Sequence, residues 1–195
     1  MTLYDRSCYL FEIAGDDRPL AAKEVVEMLA IQTAAAGQVG LARLERTDGE
    51  QLRRLFFRLS PETIYRRFLS PIARPEQAGP ERLLDIDHHD REAVGAVVDE
   101  EVVGVARYFR WPGTDAAEVA VVVADAWQRQ GLASRMLAGL AELALSAGIR
   151  RFTVTMQADN QGVLRLLRRF HPSAQLTLSQ GVLEGTVPLS AADGN

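Results

Sequence analysis

The sequence predicts a mixed α/β domain in which helices pack on a central sheet, and three observations predict it. The chain has 195 residues, 47% hydrophobic and 25% charged, which suits one soluble globular core. Apolar residues recur at helical spacing in some segments and crowd into short Val-rich runs in others. After residue 38 the order is strand, two helices, three strands, helix, strand, helix, two strands, which mixes both kinds of element around one sheet. A chain of this length buries about 70% of the surface it exposes when unfolded, so the core needs no disulfide.

Residues 4–13 read as a strand and 19–36 as a helix, with Pro19 tolerated in its first turn, Ala22, Val25, Val26 and Leu29 on one side, and Gly37 as its stop. Residues 1–38 form an extension expected to pack on the main domain, 39–195, or on a second copy as a homodimer. A short strand spans 39–46. Thr47 or Asp48 then caps a helix running to Leu59, with Leu52, Leu55, Phe56 and Leu59 on its apolar side. Ser60 caps a second helix, since Pro61 suits a first turn and Ile64, Tyr65 and Phe68 follow. Pro71, Pro75 and Pro80 make 70–80 a loop.

Beyond that loop the period changes. Runs at 92–98, 102–109 and 117–123, split by Asp99-Glu100-Glu101 and Trp111-Pro112-Gly113, predict an antiparallel meander. An Ala- and Leu-rich helix over 132–147 ends at Gly148. A strand at 151–156, a helix at 160–170 and a hairpin of 175–178 with 182–188 around Gln180-Gly181 complete the chain.

Composition narrows the function. A single cysteine, Cys8, cannot form an internal bridge and agrees with a reducing, cytoplasmic setting. No apolar run approaches the roughly 18 residues of a membrane span. Asp5, Glu12, Asp16 and Asp17 interrupt the stretch where a signal peptide needs apolar residues. With 22 basic against 26 acidic side chains, a net charge of −4 argues against a broad basic face for nucleic acid. Small molecules and proteins are the expected partners.

The most informative segment runs from Glu118 to Ala133, a buried strand passing through a short turn into a helix. Unpaired main-chain N–H groups at the first helical turn and the positive end of the helix dipole favour a phosphate there without a cationic side chain. Gly131 and Ala133 let the backbone approach such a ligand, although a glycine at a helix start also occurs for structural reasons alone.

Gln128-Arg129-Gln130-Gly131-Leu132-Ala133 resembles the Gln/Arg-x-x-Gly-x-Gly/Ala acyl-CoA signature of the GNAT N-acetyltransferase superfamily. The resemblance extends over residues 39–190 through the element order, the following helix and strand, and Asn160 opening the last helix. Residues 59–71 and Ala117-Glu118-Val119-Ala120 are similar to segments in the catalytic domain of Pat-type bacterial protein lysine acetyltransferases. The resemblance implies a three-layer α/β/α fold, acetyl-CoA as cosubstrate with no metal, and an amine acceptor, with a protein lysine as first choice. A small-molecule amine acetyltransferase and a non-catalytic acyl-CoA-binding regulatory module are the competing readings. It further implies that the backbone of Val121, Val122 and Val123 pairs with the pantetheine amides as an added strand would. The diphosphate would rest on the turn of Gln128, Arg129, Gln130, Gly131, Leu132, Ala133 and Ser134. Asn160 would support the cosubstrate from the next helix, or simply cap that helix.

Chemical need supports a base. An alkyl amine of pKa about 10.4 is only about 0.04% neutral at pH 7, and deprotonating it costs about 4.6 kcal/mol. Glu118 matches the base glutamate of protein-acetylating GNAT enzymes, and it shares one side of its strand with Ala120 and Val122. A strand-end carboxylate paired with Arg107 or Arg110 is the alternative. Leu167 stands where many of these enzymes carry a tyrosine acid, which leaves the general acid unassigned.

Three further features carry competing readings. Asp85-Ile86-Asp87-His88-His89-Asp90 offers metal-ligand types, but adjacent side chains on an extended segment point to opposite faces, so a solvated loop and a substrate-side role remain beside metal binding. Arg53, Arg54, Arg58, Arg66 and Arg67 form either the charged side of two helices or a docking face for an acidic partner. Ser134 and Cys8 lack an evident His partner as covalent nucleophiles, and direct transfer requires none.

Overall fold

In the Val-rich half of the chain, period-2 alternation puts one set of side chains on each side of a sheet, and this organises the molecule. The computed structural model describes residues 39–70, 72–74, 85–172 and 174–189. The strand expected at 4–13, the helix at 19–36, Cys8 and most of the 70–80 loop lie outside them. The elements are β1 (Gly40–Arg43), α1 (Gly49–Phe57), α2 (Pro61–Phe68), β2 (Arg91–Val98), β3 (Glu101–Arg110), β4 (Ala116–Val123), α3 (Leu132–Ser146), β5 (Arg151–Gln157), α4 (Gln161–Phe170), β6 (Leu176–Ser179) and β7 (Val182–Pro188).

The seven strands form one mixed sheet in the order β1-β2-β3-β4-β5-β7-β6. All neighbours are antiparallel except β4 and β5. That parallel pair needs a crossover, and α3 supplies it. Among the described residues no helix is long and apolar enough to cross a membrane.

α3 packs on β2, β3 and β4, burying Leu132, Met136, Leu140, Leu143 and Ala144 against Val94, Ala96, Ala106, Tyr108 and Phe152. Each large apolar side chain so buried contributes about 1.5–3 kcal/mol. α4 extends this layer, with Leu167 set against Met156 and Val187. On the opposite face Leu55 of α1 joins Leu44, Ile86, Ala93 and Val102, with Val105 and Val122 at its margin. The result is the three-layer α/β/α arrangement expected.

Local chemistry explains the ends. Ser60 Oγ accepts from Thr63 N at 3.2 Å and Pro61 occupies the first turn of α2. Gly148, at φ +80°, closes α3, with Ile149 N bonded to Ala144 O at 2.9 Å. Two boundaries differ from expectation by more than one residue. β1 stops at Arg43 and Arg46–Asp48 form a 3-10 turn, because Asp48 Oδ2 accepts from Glu45 N at 2.7 Å and folds the chain back before α1 begins. α1 ends at Phe57 rather than Leu59, where Arg58 and Leu59 close 3-10-type bonds to Leu55 O and Phe56 O.

Candidate active site

β4 is paired on both sides for only part of its length. Its register with β3 runs from Ala117 to Val123, whereas its parallel pairing with β5 covers Ala116, Ala117 and Glu118 alone. Beyond Glu118 the two strands separate and the β5-facing edge of β4 has no strand partner. Main-chain direction follows from the bonds at its ends, where Ala116 O accepts from Trp111 N (2.9 Å) and Ala124 N donates to Val103 O (2.8 Å). Even-numbered residues therefore turn their backbone groups to β3, and Val119, Val121 and Val123 turn theirs to the opening. Of the three valines singled out in the sequence, Val121 and Val123 reach the free edge. Val122 faces Val105 of β3.

The strand leads through a 3-10 turn, Asp125–Trp127, to the anion-site candidate. Arg129 at φ +61° and Gly131 at φ +81° curl the backbone around Gln130, a left-handed geometry that gathers N–H groups into a concave nest. Gly131 caps α3 and no side chain bonds to the helix start, so the N–H groups of Leu132, Ala133 and Ser134 lack intrahelical partners. Arg135 N makes the first helical bond, to Gly131 O at 3.1 Å. A Cβ on Gly131 would meet no atom within 4 Å, so the space above it is open. These features fit a diphosphate and free pantetheine amides.

The turn is braced from α2. Asp125 accepts from Ser60 N, Ser60 Oγ and Thr63 Oγ1, each at 2.8 Å, and these bonds hold its carboxyl below its ordinary value despite partial burial. Gln128 Nε2 donates to Val123 O (3.1 Å) and Thr63 Oγ1 (3.2 Å), so its side chain shapes the turn. Gln130 Nε2 bonds back to Ala126 O at 3.1 Å. Asn160, buried, caps α4 through Oδ1 and Val163 N at 3.2 Å, which establishes its capping role. Leu167 is a core residue.

Glu118 stands at the point of separation, exposed, in a cleft of about 520 Å³ lined by Arg67, Asp85, Arg91, Arg107, Phe109 and Ala120. Ala120 is the neighbour the alternation predicts, but the cationic walls come from other elements. Arg107 is opposite Ala120 on β3 and diagonal to Glu118, Arg91 enters from β2, and Arg67 from α2, which lies over β4 and β5. Neither pairing proposed for Glu118 forms. Arg110 lies on the other side of the sheet with Asp90 (3.1 Å) and the carbonyl of Ala147. Arg107 interacts with Glu118 only through the field. Burial lowers the Arg107 guanidinium, which Glu118 opposes and Arg91 reinforces. Burial and then Arg107 bring Arg67 down to about 10, against the pull of Glu118. Arg67 and Asp85 were legible only as a helix face and a loop. The available signal for Arg107 was a charge on the cleft-facing side of a Val-rich strand.

Residues 86–90 form a structural loop, while Asp85 at its start borders the cleft. Asp87 Oδ1 accepts from the N–H groups of His89, Asp90 and Arg91 at 2.8–2.9 Å, Asp85 pairs with Arg91 at 2.7 Å, and His88 bridges Glu45 and Glu92. Among the described residues no group of three His, Cys, Asp or Glu side chains is placed to hold a metal ion. The helix arginines also separate in role. Arg53 pairs with Glu50, Arg54 and Arg58 with Glu101, and Arg66 with Glu62, while Arg67 turns into the cleft.

Known proteins share this fold. Residues 54–171 match the acetyltransferase (GNAT) family. The chain is 32% identical over 124 residues to an acetyltransferase of Pseudomonas aeruginosa, covering 62% of this chain and 67% of that one. It is 33% identical over 119 residues to the acetyltransferase Pat of Mycolicibacterium smegmatis, covering 56% of this chain and 34% of that protein, so the match spans about a third of the longer relative. The crystal structure of the GNAT domain of S. lividans PAT superposes with a TM-score of 0.71 at 27% identity, over 78% of this chain and 92% of that domain. The chain belongs to the acetyltransferase (GNAT) family: it is an N-acetyltransferase, similar to the Pat type, with acetyl-CoA as cosubstrate.

Proposed function

We propose that the enzyme acetylates a lysine side chain on a protein, with Glu118 as general base. The observation that carries this reading is the position of Glu118, a solvent-accessible carboxylate with no hydrogen bond or ion pair among the described residues, where β4 parts from β5. A base must reach the acceptor's proton, and a carboxylate already engaged in an ion pair would first have to break it. The acceptor amine enters the cleft from the α2 side, and Glu118 Oε takes its proton, directly or through one water. Val121 offers its main-chain groups and Val123 its N–H along the free edge, and the nest from Arg129 to Ser134 receives the diphosphate. Acetyl-CoA supplies a thioester whose thiol, pKa about 8.5, leaves without a strong acid, which suits an apolar Leu167.

A lysine on a protein is favoured over a free metabolite because the base is exposed to solvent, where a side chain standing on a large partner can reach it. The likeness to Pat proteins supports the same choice. The test is transfer of a labelled acetyl group to a lysine-bearing protein beside a panel of free amines. Protein labelling lost in Glu118→Gln, with acetyl-CoA affinity retained, is the expected result. Turnover confined to free amines overturns the lysine acceptor, and an equally fast Glu118→Gln overturns the base.

A further inference from the structure

Among the described residues, two of the three guanidiniums around Glu118 have no counter-ion of their own. Arg91 is committed, paired with Asp85 at 2.7 Å and stacked 5.0 Å from the centroid of Phe109. Arg67 and Arg107 make no hydrogen bond and no ion pair with any described residue, and Arg67 lies over the Phe68 ring, 4.8 Å from its centroid. They come from different elements, yet each feels the cleft's other charges, and Arg107 bears directly on Arg67. Two like charges that act on each other with no carboxylate bonded to either repel, and a bound anion would relieve that repulsion. Glu118 cannot serve as their fixed partner and also receive an acceptor's proton. With three cations against two carboxylates, the cleft also repels a plain ammonium.

We propose that the acceptor carries a carboxylate beside its amine, and that Arg67 and Arg107 bind it while the amine meets Glu118. A guanidinium fork presents two parallel N–H donors to the two oxygens of a carboxylate, and two such groups border this cleft. Three guanidiniums against the carboxylates of Asp85 and Glu118 leave the cleft one cation in excess, which a single carboxylate balances and a dianionic phosphate overshoots. This inference rests on the cleft being the acceptor site. On the protein-lysine reading, the carboxylate is an acidic side chain flanking the target lysine. A free amino acid, whose own carboxylate would serve, is the second source of the same chemistry.

Binding can be read without turnover. Two peptides with norleucine in place of the acceptor lysine, one with glutamate beside it and one with glutamine, are titrated calorimetrically into the CoA-loaded enzyme. The glutamate peptide is expected to bind about tenfold more tightly, the change given by one charge-assisted hydrogen bond. Added salt should narrow that preference. It should disappear in Arg67→Gln and Arg107→Gln and return in part in Arg107→Lys, a rescue that a misfolded variant would not show. With lysine restored, the same preference should appear in KM more than in kcat. Free lysine favoured over lysinamide, with the same dependence on Arg107, identifies the free amino acid as the source and still supports the proposal. Equal binding of both peptides together with equal use of lysine and lysinamide overturns it. Peptide binding with the expected preference but no acetyl transfer sinks the lysine acceptor alone. Transfer with no charge preference sinks the carboxylate site alone.

Discussion

The two faces of β3 and β4 are made by the same strands and behave oppositely. Under α3, Ala106, Tyr108, Ala117, Met136 and Leu140 are almost fully excluded from water. At the alternate positions of the same strands, Arg107, Phe109, Glu118 and Ala120 border a cleft that gathers five charged groups. The dry face holds the strands in place, and the wet face can then carry charges that would not by themselves keep a fold together. The difference teaches that stability and chemistry are separated here by side-chain parity rather than by distance along the chain.

That separation can be broken from either side. Glu118→Gln should lower kcat by about 100- to 10,000-fold, the range for losing a general base, with an unchanged melting temperature and acetyl-CoA affinity. A fall in stability to match would mean that the wet face is also structural. Met136→Ala, on the dry face, should cost about 2–5 kcal/mol in chemical denaturation while the folded fraction keeps its KM. Gly131→Val should weaken acetyl-CoA binding at least about tenfold by titration, since it fills the open space above the nest and imposes about 1–2 kcal/mol of left-handed strain. Unchanged affinity would remove the diphosphate from this turn.

The smallest expected effect lies at the rim, at His88. Burial disfavours its charge, but its bonds to Glu45 (2.9 Å) and Glu92 (3.1 Å) outweigh this and raise the imidazole above its ordinary 6.5. A ring that binds its proton more tightly in the fold stabilises fully below pH 6.5, and the contribution is lost as pH rises through the elevated folded value. Comparison of the native protein with His88→Gln across pH 5–9 should therefore give a stability gap that is largest in acid and closes in alkali. Partial exposure keeps it below about 1 kcal/mol. A gap that widens with pH would contradict the arrangement.

Local chemistry determined much of this protein from the sequence alone. Ser60, Gly131, Gly148 and Asn160 each act within a few residues of themselves, so the caps, the element order after residue 38, and the strand-turn-helix with Glu118 at its head were legible. The tertiary structure decided the rest. Where β4 leaves β5, which valine amides face the gap, and which arginines surround Glu118 depend on register between segments tens of residues apart. Arg107 was legible only as an alternative ion-pair partner of Glu118, and Arg67 only within a charged helix side or docking face, because no local pattern records that α2 lies across β4. A side chain's direction is fixed by its own strand, but its neighbours are chosen by the packing of all the others.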